Sequence, residues 1–304
     1  MAEPILILGA DGFVGRNLRR WCEQRGRAVH LVGRAAGDLT DPQRVDAAFR
    51  DAPACGRIIH LVTRQRTGPT QYEMQAELLS INARIHLNVL EAWRRRQPQA
   101  KLISAGSSCA YPDRAEPLAE SLLGAPGAHP SVAGYAQAKL LLAQGSRLYG
   151  EQYGLDWLHC IFATLYGPFD HPEPDRSHFV GGMLRRAQAE QAAGAAAFTV
   201  WGRPEVVREV LFVEDQIEAL FAADAVASRE VLNCAANTPI TVGAVAEAIR
   251  GALNWRAPIC YPEGSFASAP AKVLDSSAFL RRTGWRPRWS LEAGLAATLG
   301  RRAD

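Results

Sequence analysis

The first half of the chain alternates short apolar runs with longer segments of helical periodicity. Apolar residues recur at helical spacing near residues 13–25, 41–51, 72–96 and 134–150. The apolar runs between these segments have the pattern of buried β-strands and lie at Ile5–Leu8, Ala28–Val32, Arg57–Val62, Lys101–Ala105 and Trp157–Ala163. Strands that are apolar throughout and joined by helices are typical of a parallel sheet covered on both faces. The pattern therefore predicts a doubly wound α/β sheet.

The second half of the chain is less regular. Prolines at 168, 172 and 174 predict a loop after the fifth strand. The periodicity predicts helices near 179–193, 214–226, 241–254 and 290–299, strands at 198–201 and 208–213, and an irregular tail at 258–289. We predict a sheet domain of residues 1–165, to which the chain returns near 208–240, and a smaller lobe of residues 166–207 and 241–304. The lobe is expected over the carboxyl edge of the sheet, where ligands of α/β proteins bind.

Composition narrows the class of protein. With 48% hydrophobic and 21% charged residues, the 304-residue chain is expected to be globular rather than disordered. A net charge of +3 is too balanced to indicate nucleic-acid binding. The apolar runs are too short for a signal peptide or a membrane span. Six cysteines with neither C-x-x-C nor zinc-site spacing are typical of reduced thiols, so we expect a cytoplasmic protein without a bound metal.

A glycine motif joins the first strand to the first helix. It has the spacing G-x-x-G-x-x-G and consists of Gly9, Ala10, Asp11, Gly12, Phe13, Val14 and Gly15. In this motif the first glycine permits a tight turn, the second lets the backbone approach a pyrophosphate, and the third lets helix and strand pack closely. The helix N-terminus that follows attracts phosphate. The motif therefore predicts a Rossmann-type dinucleotide site, with a simple turn as the alternative.

The end of the second strand bears on the choice of dinucleotide. An acidic residue there accepts the ribose hydroxyl of NAD, whereas this chain has Arg34, which favours the extra phosphate of NADP(H). Asp38 and Leu39 follow at a place suited to the adenosine. The alternatives are a solvated Arg34 and an Asp38 that caps a helix. We predict NADP(H) as the cofactor.

Candidate chemistry follows the fourth strand. Ser107 lies at its end, and Tyr135 precedes Lys139 by four residues, which places both side chains on one face of a helix. An ammonium beside a phenol stabilises tyrosinate, so we expect Lys139 to lower the pKa of Tyr135 and make it an acid/base group. By itself this pair occurs on many solvated helices. After a dinucleotide motif it predicts an oxidoreductase.

At this point the sequence resembles the extended short-chain dehydrogenase/reductase family over nearly its whole length. Within that family, residues 106–112 (GSSCAYP) look like the G-S-S-C-x-Y-P motif of GDP-L-fucose synthases. Further likenesses to those enzymes lie at 175–179 (DRSHF), 201–202 (WG), 208–215 (REVLFVED), 284–286 (GWR) and 290–295 (SLEAGL). The cysteine of GSSCAYP and the histidine of DRSHF are the part of this resemblance that is more specific to GDP-L-fucose synthases.

The resemblance implies a two-stage reaction on a 4-keto-6-deoxy sugar linked to a nucleotide, with GDP expected. Cys109 would abstract protons at C3 and C5, which the C4 ketone acidifies, and His178 would deliver them from the opposite face. NADPH would then reduce C4 while Tyr135 protonates its oxygen. Ser107 would hydrogen-bond that oxygen, and Lys139 would bind the nicotinamide ribose. The alternatives are a Cys109 that is a small buried hydrophobe and a His178 without a role.

The resemblance also implies a set of substrate-binding residues. They are Asn82, Ser108, Arg186, Trp201, Arg208 and Lys272. An arginine suits a diphosphate because of its planar fork. The alternatives are a solvated Arg186 and an Asn82 on a helix surface.

Departures from the family pattern occur beside these positions. Residues 265–271 replace a K-P-D-G-like segment, residues 201–204 replace W-G-x-G, and Arg64 and Arg66 stand where the family has small residues. Such positions face substrate or cofactor in relatives, so the base and the sugar stay open.

Three hypotheses for the function remain. The first is an epimerase/reductase of nucleotide sugars, and the second is a plain 4-ketoreductase or C4 epimerase in which Cys109 and His178 are idle. The third is a non-catalytic dinucleotide-binding regulatory protein. Relatives pair the helices near 72–96 and 134–150 in a four-helix interface, so a homodimer is expected.

Overall fold

The computed structural model describes residues 3–263 and 270–300. In these residues the strands, in chain order, are β1 (Ile5–Leu8), β2 (Val29–Val32), β3 (Arg57–His60), β4 (Lys101–Ser107), β5 (Trp157–Phe162), β6 (Thr164–Tyr166), β7 (Phe198–Thr199), β8 (Val207–Phe212), β9 (Glu230–Cys234), β10 (Pro239–Thr241), β11 (Ile259–Cys260) and β12 (Ala271–Lys272). The α-helices are α1 (Phe13–Gln24), α2 (Pro42–Asp51), α3 (Pro69–Glu73), α4 (Gln75–Arg96), α5 (Ala133–Tyr153), α6 (Phe179–Ala192), α7 (Val213–Val226), α8 (Val242–Ala252), α9 (Ser277–Thr283) and α10 (Leu291–Gly300).

The main sheet has the strand order β2-β1-β3-β4-β5-β9, with every neighbouring pair parallel. The side chains of β1 alternate between its two faces. Ile5 and Ile7 pack into the core that includes α1 and α7, whereas Leu6 and Leu8 pack into the core that includes α2 and α4. Both faces are therefore covered, and the predicted doubly wound parallel sheet is confirmed.

The strand order reverses at β1. Because β2 and β3 lie on opposite sides of β1, the loops that leave β1 and β3 diverge, and a crevice opens at their carboxyl ends. Gly9, Gly12, Val62 and Thr63 line this crevice. The topology thus places the glycine motif at the position where doubly wound sheets bind ligands.

Close packing of α5 on α4 fixes the start of α5. A Cβ on Gly134 would lie 2.0 Å from the carbonyl oxygen of Gln75, so only glycine allows this approach. The Gln75 side chain accepts a hydrogen bond from the Gly134 N–H (2.7 Å) and donates one to the Ser131 carbonyl (2.8 Å). Tyr135 follows at once, and its position depends on this contact.

A second, smaller sheet is built around β8. This strand pairs in parallel with β6 and β12 and antiparallel with β10. The chain enters it directly from the main sheet, since only Ala163 separates β5 from β6. Glu209 on β8 is buried and accepts backbone hydrogen bonds from Ala236 (2.9 Å) and Leu274 (3.1 Å), and burial raises its pKa. This carboxylate holds the strands of the lobe against the end of β9.

The second half of the chain differs from its sequence pattern at several elements. The strand β9 was not predicted, because Glu230 and Asn233 interrupt its apolar run, and the buried Asn233 is satisfied only by tertiary hydrogen bonds. The strands β6 and β10 were also missed. The tail at 258–289 contains α9, whose Phe279 is fully buried in the core of the main sheet. The domain boundaries given above stay a prediction.

Within the described residues, no helix combines the length and the apolar character needed to cross a membrane.

We expect Gly134→Ala to lower the free energy of unfolding by about 1–3 kcal/mol, because the added methyl group overpacks the contact with the Gln75 backbone. Gly251→Ala is the matched control, since a Cβ there meets nothing within 4 Å on the exposed side of α8. That change should add about 0.5–1 kcal/mol through helix propensity. Urea unfolding of both variants measures the difference, and equal stabilities would contradict the packing argument.

Candidate active site

The crevice at the reversal of strand order is shaped by the glycine motif. Gly9 has a φ of +92°, in the left-handed region that favours glycine. A Cβ on Gly15 would lie 2.1 Å from the Gly9 carbonyl oxygen, so glycine lets α1 begin this close to β1. Phe13 and Val14, in the first turn of α1, line the crevice. The N-terminus of α1 therefore borders a space that fits the pyrophosphate of a dinucleotide.

The end of the crevice beside β2 carries the residues predicted to contact the adenosine half. They are Arg34, Asp38 and Leu39. The Asp11 carboxylate accepts the backbone N–H of Arg34 (2.6 Å), which fixes the turn after β2. Asp41 is the residue that caps α2, so the alternative of Asp38 as a helix cap is wrong.

A second pocket adjoins the crevice at the carboxyl end of β4. Its walls include all five predicted catalytic residues and three of the predicted substrate-binding residues, namely Ser107, Ser108, Cys109, Tyr135, Lys139, His178, Arg208 and Lys272. These residues come from β4, α5, the lobe and the loop before α6. The structure therefore brings together side chains that are up to 165 positions apart in the chain.

Burial dominates the protonation of Tyr135 and Lys139. Tyr135 is 5% exposed, and burial together with the nearby Cys109 raises its pKa, although hydrogen bonds with Ser107 and Thr63 act in the opposite direction. The expectation that Lys139 lowers this pKa is wrong. The Lys139 ammonium lies 5.7 Å from the centre of the Tyr135 ring and donates to the Ala105 carbonyl (2.8 Å). Burial lowers the pKa of Lys139 to about 8.

Cys109 lies in a short 3-10 turn directly after β4. Its backbone N–H donates to the Ser107 hydroxyl (3.2 Å), and its sulfur lies 3.5 Å from the Lys272 ammonium. Lys272 on β12 is paired in register with Arg208 on β8, and both face the pocket. A cation at this distance attracts negative charge that develops on the sulfur. Lys272 was expected to bind substrate, and the structure places it beside the thiol.

His178 lies where three pockets meet. Its ring borders the crevice, the pocket of Cys109 and a third pocket toward α6, and it packs against Phe13 with 5.0 Å between ring centres. Its Nδ1 atom lies 2.6 Å from an oxygen of Asp170, whose side chain is only 2% exposed. Asp170 was not predicted, because a carboxylate in a proline-rich loop gives no periodic signal.

The third pocket contains Arg186 and Trp201. The guanidinium of Arg186 lies 5.0 Å from the centre of the Trp201 ring, a cation–π geometry. Thr67 and Gly68 also line this pocket. This pocket joins a cation to an aromatic surface next to His178, which is a composition that suits a nucleoside diphosphate.

Asn82 does not fit the substrate-binding role predicted for it. It is fully buried on α4, its Oδ1 accepts the backbone N–H of Arg64 (2.7 Å), and its Nδ2 donates to the carbonyls of Arg64 (2.8 Å) and Leu78 (2.7 Å). Its amide is thus used by the backbone. The prediction is corrected: Asn82 holds the loop after β3, on which Thr63 lies.

Arg64 and Arg66, which depart from the family pattern, lie in the loop after β3. Arg64 lines the crevice, and Arg66 pairs with Asp175 (3.3 Å). The Thr67 N–H also donates to the Asp175 carbonyl (2.7 Å), so the loop after β3 is tied to the loop before α6 across the crevice. Residues 264–269 lie outside the described part of the chain, and with them most of the altered 265–271 segment.

A family model described as the NAD dependent epimerase/dehydratase family matches residues 5–235. The chain belongs to this family. Among curated members, the GDP-L-fucose synthase of Escherichia coli (strain K12) is 30% identical over 97% of this chain and 95% of its own length. This agrees with the resemblance seen in the sequence motifs.

Solved structures share the fold of this chain over nearly its whole length. A GDP-L-fucose synthetase from Naegleria fowleri bound to NADP has a TM-score of 0.87 at 22% identity, over 98% of this chain and 92% of that one. A GDP-6-OMe-4-keto-L-xylo-heptose reductase from C. jejuni has a TM-score of 0.88 at 18% identity, over 98% of this chain and 97% of that one.

The stability of the protein is expected to depend on the protonation of Lys139. Its pKa is about 8 in the folded state, against about 10.4 in an unfolded chain. Between these values the unfolded state binds more protons, so stability rises with pH, by at most about 1.4 kcal/mol per pH unit. The free energy of unfolding of the wild type minus that of Lys139→Met should therefore increase from about pH 8 to about pH 10. Urea unfolding at several pH values measures it, and a constant difference would refute the buried ammonium.

Proposed function

We propose that this chain is a nucleotide-sugar epimerase/reductase of the GDP-L-fucose synthase type. It epimerises a GDP-linked 4-keto-6-deoxy sugar at C3 and C5 and then reduces C4 with NADPH. The observation that carries the proposal is the meeting of Cys109 and His178 with Ser107, Tyr135 and Lys139 in a single pocket beside the dinucleotide crevice. The 30% identity to a GDP-L-fucose synthase over nearly the whole of both chains supports it.

The epimerisation rests on two groups of this chain. The Cys109 thiolate removes a proton from the carbon beside the ketone, and the electron pair of the broken C–H bond passes to the C4 oxygen as an enolate. His178 then gives a proton to the opposite face of that carbon, and the ketone re-forms. The Lys272 ammonium, 3.5 Å from the sulfur, stabilises the thiolate that starts the cycle.

The reduction uses the group at the end of β4 and on α5. NADPH, when bound, supplies the hydride to C4. Tyr135 gives its phenolic proton to the C4 oxygen, Ser107 donates a hydrogen bond to the same oxygen, and Lys139 binds the ribose beside the nicotinamide. Because burial raises its pKa, Tyr135 stays protonated at neutral pH, which is the form that a reduction requires.

The cofactor occupies the crevice, and the nucleoside diphosphate of the substrate occupies the third pocket. Arg34 holds the adenosine phosphate that distinguishes NADP(H) from NAD(H), next to Asp38 and Leu39. Arg186 binds the diphosphate of the substrate, and Trp201 packs against its nucleoside. His178, between the two, faces the sugar.

The proposal predicts a defined isotope pattern. With NADPH and GDP-4-keto-6-deoxy-mannose in deuterated water, the wild type should oxidise NADPH and fix deuterium at C3 and C5, as followed by absorbance and product mass. Cys109→Ser should lose the carbon-bound deuterium. Tyr135→Phe should slow NADPH oxidation by about 10²-fold or more, because the acid is gone. NADH should replace NADPH poorly.

The matched control is Tyr153→Phe, which removes the same hydroxyl from the exposed end of α5 and should leave the rates unchanged. NADPH oxidation without deuterium on carbon would overturn the epimerase assignment and leave a 4-ketoreductase. Absence of turnover with GDP- and other nucleotide-linked 4-keto sugars would overturn the function as a whole.

We also propose that the protein forms a homodimer through α4 and α5. Among the described residues, five of the exposed large hydrophobic side chains lie on these helices and the adjoining α3, namely Tyr72, Leu79, Leu87, Leu148 and Tyr153. Exposed apolar side chains on two helices that pack together are typical of an interface between protein chains.

Replacing Leu87 and Leu148 by Glu should dissociate the dimer, because the charges would have to be buried at the interface. The control is Val226→Glu, which places the same charge at an exposed apolar position on α7. Sedimentation velocity gives the mass. A wild type that sediments as a monomer at micromolar concentration would rule the interface out.

A further inference from the structure

Asp170 is a buried carboxylate in the loop between β6 and α6. Its Oδ1 lies 2.6 Å from the Nδ1 of His178 and accepts the backbone N–H of His171 (2.9 Å). Its Oδ2 accepts the backbone N–H of His178 (3.0 Å) and an N–H of Arg185 (3.3 Å). The two backbone N–H groups and the Arg185 guanidinium can only donate, so the carboxylate accepts on both oxygens before its contact with the imidazole is considered.

The charge of Asp170 is maintained despite its burial. Burial raises the pKa of this carboxyl group, but the hydrogen bonds from His178 and the charges of His178 and Arg185 outweigh that effect and hold the pKa below its usual value. Asp170 is therefore ionised at neutral pH. An ionised carboxylate has no hydrogen to donate, so the hydrogen in its contact with His178 must reside on Nδ1.

The surrounding backbone is arranged to place this carboxylate. Phe169, directly before it, has a φ of +67°, which is strained for a residue with a side chain. The Arg16 guanidinium lies 4.1 Å from the centre of the Phe169 ring, and Asn17 donates to the Pro168 carbonyl (2.8 Å). Helix α1, which borders the dinucleotide crevice, thus holds the turn that directs Asp170 inward.

The start of α6 leaves room for the carboxylate. A Cβ on Gly181 would lie 2.1 Å from the Asp170 Oδ2 atom, so any larger residue in this first turn would displace it. The centre of the Phe13 ring lies 5.0 Å from that of the His178 ring in a tilted arrangement. The imidazole is therefore held by a carboxylate at Nδ1 and by contact with an aromatic ring.

We infer that Asp170 is a positioning residue for His178: it keeps the hydrogen on Nδ1, fixes the ring, and leaves Nε2 as the atom that gives a proton to the substrate carbon. In the step, the Nε2–H bond breaks and the new C–H bond forms with the electron pair of the enolate. The imidazole becomes neutral with its hydrogen on Nδ1, and Asp170 stays ionised throughout. The inference deepens the proposed function and rests on it.

The substitution Asp170→Asn tests the inference with almost no change of shape. In either orientation of the asparagine amide, its NH₂ group faces N–H donors whose hydrogen bonds the carboxylate accepted. In one orientation the NH₂ group donates to Nδ1, so the ring hydrogen of the neutral imidazole moves to Nε2, where it is only weakly acidic. With NADP⁺ in place of NADPH, solvent deuterium exchange at the carbon served by His178 should fall by about 10²–10³-fold. In the pH profile of the exchange rate, the alkaline limb should move to lower pH. The KM for the sugar should change little.

Glu173→Gln is the matched control, since it makes the same change at an exposed carboxylate of the same loop, which does not contact His178. It should leave the exchange rate and the pH profile unchanged. An Asp170→Asn variant that exchanges at the wild-type rate with the wild-type pH profile would overturn the inference.

A second measurement uses the wild-type protein, so it does not depend on whether an Asp170 variant folds. In ¹⁵N-histidine-labelled wild type, the ring nitrogens of His178, assigned with His178→Gln, should show the hydrogen on Nδ1 and none on Nε2 at alkaline pH. The opposite tautomer would overturn the inference. If the wild type exchanges no deuterium into the sugar, the proposed function fails, and the tautomer still decides the role of Asp170.

Discussion

The parallel direction of all main-sheet strands is the constraint on which the site depends. Because parallel strands end at a common edge, the glycine turn after β1, Arg34 after β2, Thr63 after β3 and Ser107 at the end of β4 are gathered there. The continuation of β5 into β6 then carries the chain over this edge and begins the lobe that closes the pocket.

The pocket contains polar and charged groups that are buried although they are not part of the apolar core. A buried ammonium at Lys139, a buried phenol at Tyr135 and a buried carboxylate at Asp170 each require hydrogen-bond partners that the backbone or a neighbouring side chain provides. Desolvation of this kind moves the protonation of acid/base groups away from their ordinary range. The site is therefore a region where stability is lower than a purely apolar packing would give.

The family comparison and the local geometry support the same chemistry from different directions. The motif at 106–112 places a cysteine in the turn after β4, and the structure adds Lys272 from a strand of the lobe beside its sulfur. The motif at 175–179 places a histidine at the start of α6, and the structure adds Asp170 behind it. In both cases the residue proposed to act on the substrate lies in a motif, and the charged group that contacts it lies outside that motif.

The sequence by itself determined the strands of the first half, the glycine turn and the helical spacing of Tyr135 and Lys139, because each depends on periodicity or on residues a few positions apart. It did not reveal β9 or the role of Asn82, since the buried amides of Asn233 and Asn82 depend on partners far away in the chain. It did not reveal α9, whose Phe279 is buried only by packing into the core of the main sheet. The direction of the Tyr135 pKa shift was also decided by tertiary structure. Spacing showed a cation four residues away, whereas only packing showed that the phenol is almost fully removed from water.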